Sequence, residues 1–177
     1  MSGDATRRLR FQVLYEANYS AILGYALRRA PRDDAADVVA ETFLTAWRRL
    51  RDVPDGAEAR LWLYATARRV LANRARSERR RNRLTALLTR TTQTPSTEAA
   101  PAVSDAVAAA FDRLQPEERE LLALVAWEGL SAVEIAAIVG CSPNAVRIRL
   151  HRARRKLARR LDEESAGFSE TRLRSAT

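Results

Sequence analysis

Between Asn144 and Arg160 the chain carries eight lysines and arginines and no acid. A solvated surface helix normally mixes signs, so a single-sign run predicts a polyanion held through its phosphates. At 100° per residue, Asn144, Ile148, His151, Arg152, Arg155 and Arg159 fall on one side of a helix, with Arg147 and Arg149 on its flanks. Val146, Leu150, Ala153 and Leu157 make the opposite, apolar stripe, which must pack against something. The basic side is then free to enter a major groove, where arginine pairs with guanine and neighbouring cations hold phosphates.

A second basic segment places Arg68, Arg69, Arg74, Arg76, Arg79, Arg80, Arg81 and Arg83 against Glu78 alone, a few residues after Trp62 and Tyr64. Aromatic rings beside a basic stripe suit single-stranded nucleic acid, whose splayed bases need stacking surfaces and whose phosphates need cations. The plainer alternative is that Trp62 and Tyr64 are core.

Catalytic chemistry has no comparable support. Cys141 and His151 are the only cysteine and histidine, too few for a disulfide framework or an ordinary zinc site. No Walker A loop and no recognisable pair of metal-binding carboxylates occurs. The expectation is no catalytic residue, no metal and no cofactor, with His151, which has no co-ligand nearby, facing DNA. A small nuclease is therefore disfavoured.

The whole chain agrees in charge: 31 Lys and Arg against 22 Asp and Glu leave a formal +9 over 177 residues. Nucleic acid is the first candidate partner, and a membrane surface the competitor. No run approaches the roughly 18 apolar residues needed to span a bilayer, and Met1 to Arg10 has no signal-peptide core. A cytoplasmic protein without membrane insertion is expected.

The elements that must carry these faces are helical. Glycine and proline number six each, and strand-like alternation is absent. Apolar residues recur at helical spacing from Phe11 to about Arg83, interrupted at Pro31 to Asp34 and at Asp52 to Gly56, predicting three or four helices. In the third of these, Leu61, Trp62, Tyr64, Ala65 and Leu71 can face a core. Thr89 to Ser104, rich in Thr, Ser and Pro, reads as linker.

The second block opens at Asp105. Pro116 suits a first helical turn, and Glu117, Glu118 and Glu120 complement the helix dipole. Leu121, Leu122, Leu124 and Val125 come next, and Gly129 ends the helix. Ser131 and Glu134 are spaced as a capping box, and Gly140 closes a short second helix. Ser142 and Pro143 then read as N-cap and first residue of the third, which runs to about Leu161. Two helices joined by a tight glycine-containing turn are a helix-turn-helix.

Leu114 to Leu157 closely resembles region 4 of the sigma-70 family, especially its extracytoplasmic function group. The likeness rests on Leu114, Pro116, Glu118-Arg119, Glu128-Gly129-Leu130-Ser131, Glu134-Ile135-Ala136, Gly140-Cys141 and Arg149 through Arg154. It implies a reader of the −35 promoter element, with Arg147, Ile148, Arg149, His151 and Arg152 at the family's DNA-contacting positions; Asn144 and Arg155 join them as expected contacts from the basic face. Asn144-Ala145 stands where Gly-Thr is common, and Ile148 where serine is common.

Asp33 to Leu50 likewise resembles region 2.2, with Val39, Phe43, Ala46, Trp47 and Leu50 as an apolar stripe and Asp37 and Glu41 as an acidic ridge. The resemblance implies a grip on core RNA polymerase through Asp37, Ala40, Glu41, Phe43, Ala46 and Trp47; Ala40 replaces the usual glutamine. Glu58 to Arg83 resembles regions 2.3 and 2.4, which open the −10 element and hold a flipped non-template base. The resemblance implies a capturing pocket in the loop Arg51 through Glu58, backed by the helix carrying Arg69 and Asn73, with Val53 and Arg69 departing from common family residues. Together with the basic stripe, the expected −10 contacts are Arg51, Asp52, Val53, Arg68, Arg69, Asn73 and Arg76.

The expected fold class is all-α: two small helical domains joined by a flexible linker. Residues 8–83 form region 2, 84–104 the linker, 105–162 region 4 and 163–177 a disordered tail. The implied function is a sigma factor that binds core polymerase, reads duplex −35 and single-stranded −10 DNA, and has no active site. Control by a separate anti-sigma factor fits the short segment after Asp162, which has no room for an appended regulatory domain. A stand-alone helix-turn-helix regulator would account for the second block only.

Overall fold

Ala, Leu, Arg and Glu favour helix wherever packing permits, and helix is the only regular structure among the described residues. A computed structural model describes the backbone at residues 2–88 and 105–174 and the side chains at 3–81 and 107–163. The chain divides into two compact units, Met1–Glu98 and Ala99–Thr177.

The N-terminal unit holds α1 (Ser2–Leu27), α2 (Arg32–Arg48) and α3 (Ala57–Leu88), each packed on the other two. Pro31 precedes α2 in extended conformation, and Asp33 and Asp34 sit in its first turn, favourable to the helix dipole. Val38, Val39, Phe43 and Ala46 of α2 and Ile22 and Tyr25 of α1 are all at most 5% exposed, and the Phe43 ring centroid lies 4.7 Å from that of Tyr15 on α1. Thr42, fully buried, removes its polarity locally by donating from Oγ1 to the Val38 carbonyl at 2.7 Å. A single 3-10 turn, Leu50–Asp52, leads into α3.

The buried face of α3 differs from the one expected. Ala59, Leu63, Tyr64, Ala67 and Val70 are at most 5% exposed, whereas Leu61, Trp62, Ala65 and Leu71 are half-buried. Leu61 through Ala65 is apolar at every position, so it defines no unique phase. The buried face is the one that carries the small residues Ala59 and Ala67, 5% and 0% exposed.

In the C-terminal unit α4 (Asp105–Asp112), α5 (Pro116–Ala126) and α6 (Ala132–Val139) all pack on α7 (Pro143–Arg174). The expected caps are present. The Glu134 backbone N–H donates to Ser131 Oγ at 3.3 Å, and Glu134 Oε2 accepts from the Ser131 N–H at 2.8 Å. The Ala145 N–H donates to Ser142 Oγ at 3.2 Å. Gly140 ends α6 with φ 74°, the left-handed region where a β-carbon is strained. Nothing lies within 4 Å of where that carbon would stand. Gly140→Ala is therefore expected to cost only the backbone strain, about 1 kcal/mol by thermal unfolding of the full chain.

Two expected boundaries move. Helix α3 continues to Leu88, into the segment expected as linker, and α7 continues to Arg174, past the expected end near Leu161 and through most of the expected tail. No proline interrupts either extension. The Thr89 to Ser104 linker lies outside the described residues.

Candidate nucleic-acid interface

Helix α7 presents its basic face as a unit. Val146, Leu150 and Ala153 are at most 6% exposed against α4, α5 and α6. Asn144, Arg147, Ile148, Arg149, His151, Arg152 and Arg155 are all exposed. Ile148 keeps 45% of its surface open among the guanidinium groups, an apolar point suited to a thymine methyl. The Ser142 cap fixes where the helix begins.

One cation of the run is used internally. Lys156 Nζ donates to Glu118 Oε2 at 2.8 Å, with both side chains 26% exposed, so it ties α7 to the first turn of α5. The same carboxylate accepts the Gln115 N–H at 2.9 Å. Lys156 holds the Glu118 carboxyl below the usual carboxylate range against the opposing effect of burial, and Gln115 and Arg160 add smaller pulls. A carboxyl lowered in the folded state adds stability above its unfolded pKa, about 4.3, and loses it as pH falls through the folded value. Glu118→Gln should lower stability by up to about 1 kcal/mol at neutral pH. The gap from the parent chain should narrow as pH falls below the unfolded value and through the lower folded one, in thermal unfolding across a pH series.

In the N-terminal unit, Arg69, Asn73 and Arg76 project from one exposed face of α3, and Arg68 is half-buried beside them. Arg76 donates to the Asn73 side-chain oxygen, ordering that face. Arg74 turns the other way, donating to Asp37 at 2.9 Å and Asp34 at 3.1 Å on α2. In the connection before α3, Arg51 and Asp52 are exposed, and Arg49 Nε holds Asp52 at 2.9 Å. Val53 corrects the expectation: at 3% exposure it anchors the connection in the core and offers no surface to a base.

The α2 residues separate into two kinds. Asp37, Ala40 and Glu41 are exposed on one ridge. Phe43 and Ala46, at 3% and 0% exposure, are core and cannot touch a partner without unpacking. Trp47 is half-buried, edge-on to Phe11 with ring centroids 5.2 Å apart and covered by the Arg7 guanidinium at 4.4 Å. The ridge gains a residue that the spacing already held: Leu44, three and four positions beyond Glu41 and Ala40, is 46% exposed. Away from that ridge, Arg7 and Arg10 of α1 hold the end of α2 and the connection after it, and no local signal marks them because their partners are 40 to 45 residues away.

Among the described residues no helix is long and apolar enough to cross a membrane. None of them form a group of three or more potential metal ligands. Cys141 is a free thiol, half-buried in the turn between α6 and α7.

Residues 14–81 match the family model for sigma-70 region 2, and residues 104–157 that for sigma-70 region 4. The chain is 33% identical over 163 residues to the ECF RNA polymerase sigma factor SigL of Mycobacterium tuberculosis, covering 86% of this chain and 89% of that one. It is 31% identical over 167 residues to the RNA polymerase sigma factor CnrH of Cupriavidus metallidurans, covering 84% and 85%. The structure of CnrH with the cytosolic domain of CnrY matches with a TM-score of 0.59 at 28% identity, over 86% and 88%. The fold is also that of RpoE from Bartonella quintana, solved with the anti-sigma factor NepR, at a TM-score of 0.67 and 24% identity over 86% and 96%.

Proposed function

The chain belongs to the extracytoplasmic function group of the sigma-70 family, as an RNA polymerase sigma factor directing transcription, and from that premise we propose how it reads a promoter. Helix α7 enters the major groove of the −35 element. Arg149 and Arg152 pair with base edges, Ile148 packs on a thymine methyl, and Arg147 and Arg155 hold phosphates, with Asn144 and His151 completing the contacting face. The observation that carries this reading is the seven-residue exposed face of α7, backed by a sealed apolar stripe.

The N-terminal unit acts after the duplex opens. Arg68, Arg69, Asn73 and Arg76 of α3 hold the displaced −10 strand, and the connection bearing Arg51 and Asp52 receives a flipped base. Core polymerase grips the α2 ridge of Asp37, Ala40, Glu41 and Leu44, while Phe43, Ala46 and Trp47 hold that ridge in shape. Strand capture by binding energy needs no nucleotide hydrolysis, and the chain acts without an active site. It works in the cytoplasm, where polymerase is, and an anti-sigma factor binds it, as RpoE of Bartonella quintana is found in complex with the anti-sigma factor NepR.

A stand-alone regulator would use α7 but would leave the α2 ridge without a purpose. Permanganate footprinting separates the two. With core polymerase and the chain together, unpaired thymines should appear at the −10 element of a bound promoter, and neither component alone should produce them. A duplex footprint by the chain alone, with no opening when core is added, contradicts the proposal.

A further inference from the structure

The connection between α2 and α3 is held by a residue on neither helix. Beyond the end of α2 the backbone has few bonds of its own; the Asp52 N–H reaches the Arg49 carbonyl at 2.8 Å within the 3-10 turn. The carbonyls beyond that point lie at the negative end of a helix and need donors. Arg10 of α1 supplies them. Its Nη1 donates to the Leu50 carbonyl at 2.8 Å, and its Nη2 to the Val53 carbonyl at 2.7 Å and to Asp55 Oδ1 at 2.8 Å. One turn earlier, Arg7 Nη2 donates to the Trp47 carbonyl at 3.0 Å.

The side chains of Leu50 and Val53, 4% and 3% exposed, pin the same segment from below. Between those two anchors Arg51 and Asp52 are left facing outward. A planar guanidinium fork can serve three acceptors at once, which a lysine ammonium cannot do with the same rigidity. A loop already ordered loses less conformational entropy when it closes on a ligand, and a defined shape discriminates between ligands where a mobile one does not.

We propose that Arg10 is a positioning residue for −10 base selection: it shapes the Leu50 to Asp55 connection so that Arg51 and Asp52 meet a flipped base in one geometry. This rests on the reading of that connection as the −10 base receiver. Arg10 touches no DNA in this scheme.

The test uses holoenzyme assembled from core polymerase and the full chain, presented with a single-stranded DNA pool of randomised sequence. The measured quantity is the enrichment of the best-bound sequences over the pool. Arg10→Met should flatten that enrichment by about five- to tenfold, with core affinity and affinity for the unselected pool unchanged. Hydrogen exchange at the amides of Arg51 through Gly56 should quicken in step. Arg10→Lys, which keeps the charge but not the fork, should fall between, and it carries the same test if the methionine variant folds poorly. A purely structural role would lower core affinity and pool affinity together with the melting temperature, leaving enrichment intact, and that result overturns the proposal.

Arg51→Ala tells the two possible failures apart. If it flattens enrichment while the Arg10 variants do not, the role of Arg10 alone is wrong. If neither flattens it, the connection is not a base reader and both readings fall.

Discussion

Arg152→Ala is expected to weaken −35-dependent initiation by about 1 to 3 kcal/mol, roughly a 5- to 150-fold loss. Arg152 lies on the exposed face of α7 with Ile148 and Arg155, while its neighbour Ala153 is fully buried. Removing the guanidinium therefore leaves the packing of α7 untouched, and the loss is one of recognition. Initiation from duplex templates checks it. If Arg152 pairs with a base, scrambling the −35 element should abolish the difference between parent and variant. An equal loss on both templates would make Arg152 a phosphate contact, whose removal lowers the salt dependence of binding by about one unit.

Leu44→Arg is expected to cost assembly with core polymerase about 2 to 4 kcal/mol, roughly 30- to 1,000-fold in Kd. Leu44 is the large apolar side chain on the α2 ridge, 46% exposed between acidic and small neighbours. An apolar residue at the centre of an interface contributes by being desolvated, and a guanidinium placed there is desolvated without a partner. The preceding Thr42 and Phe43 are buried while Leu44 itself is exposed, so the substitution is expected to leave the core packing intact. Competition for core against labelled parent chain measures the effect. Thermal unfolding and −35 duplex binding should both be unchanged. Unaltered core affinity would move the polymerase contact away from this ridge.

The C-terminal unit was largely legible in the sequence because its signals are local. Ser131 with Glu134, Ser142 with Pro143, and Gly140 each mark a helix end within a few residues, and the stripe of Val146, Leu150 and Ala153 has a clear opposite face. Once the start and phase of α7 are set, the exposed residues of its first turns are set with them.

The N-terminal unit was less legible where packing decides between equivalent patterns. On α3 five consecutive apolar residues left the phase open, and the buried face turned out to be the one through Ala59 and Ala67. On α2 the motif joined surface residues to Phe43 and Ala46, which scaffold the surface. Val53 was assigned to DNA by resemblance, yet its side chain serves the core. Contacts distant in sequence had no local trace: Arg10 with Val53, Arg74 with Asp37, and Lys156 with Glu118, which withdraws one cation from a face that charge alone would count as wholly available. The linker expectation was bounded on one side by the continuation of α3 to Leu88, because a Thr- and Arg-containing stretch without proline or glycine does not stop a helix.

Transcription in vitro from a library of promoter fragments, with purified core polymerase and the full chain, tests the central claim most directly. Start sites should appear only when both are present. Their upstream sequences should share two elements, the nearer one altered in preference by Arg51→Ala and the farther one by Arg152→Ala. Transcripts that do not depend on the chain, or shared sequence at only one element that both substitutions alter alike, would contradict it.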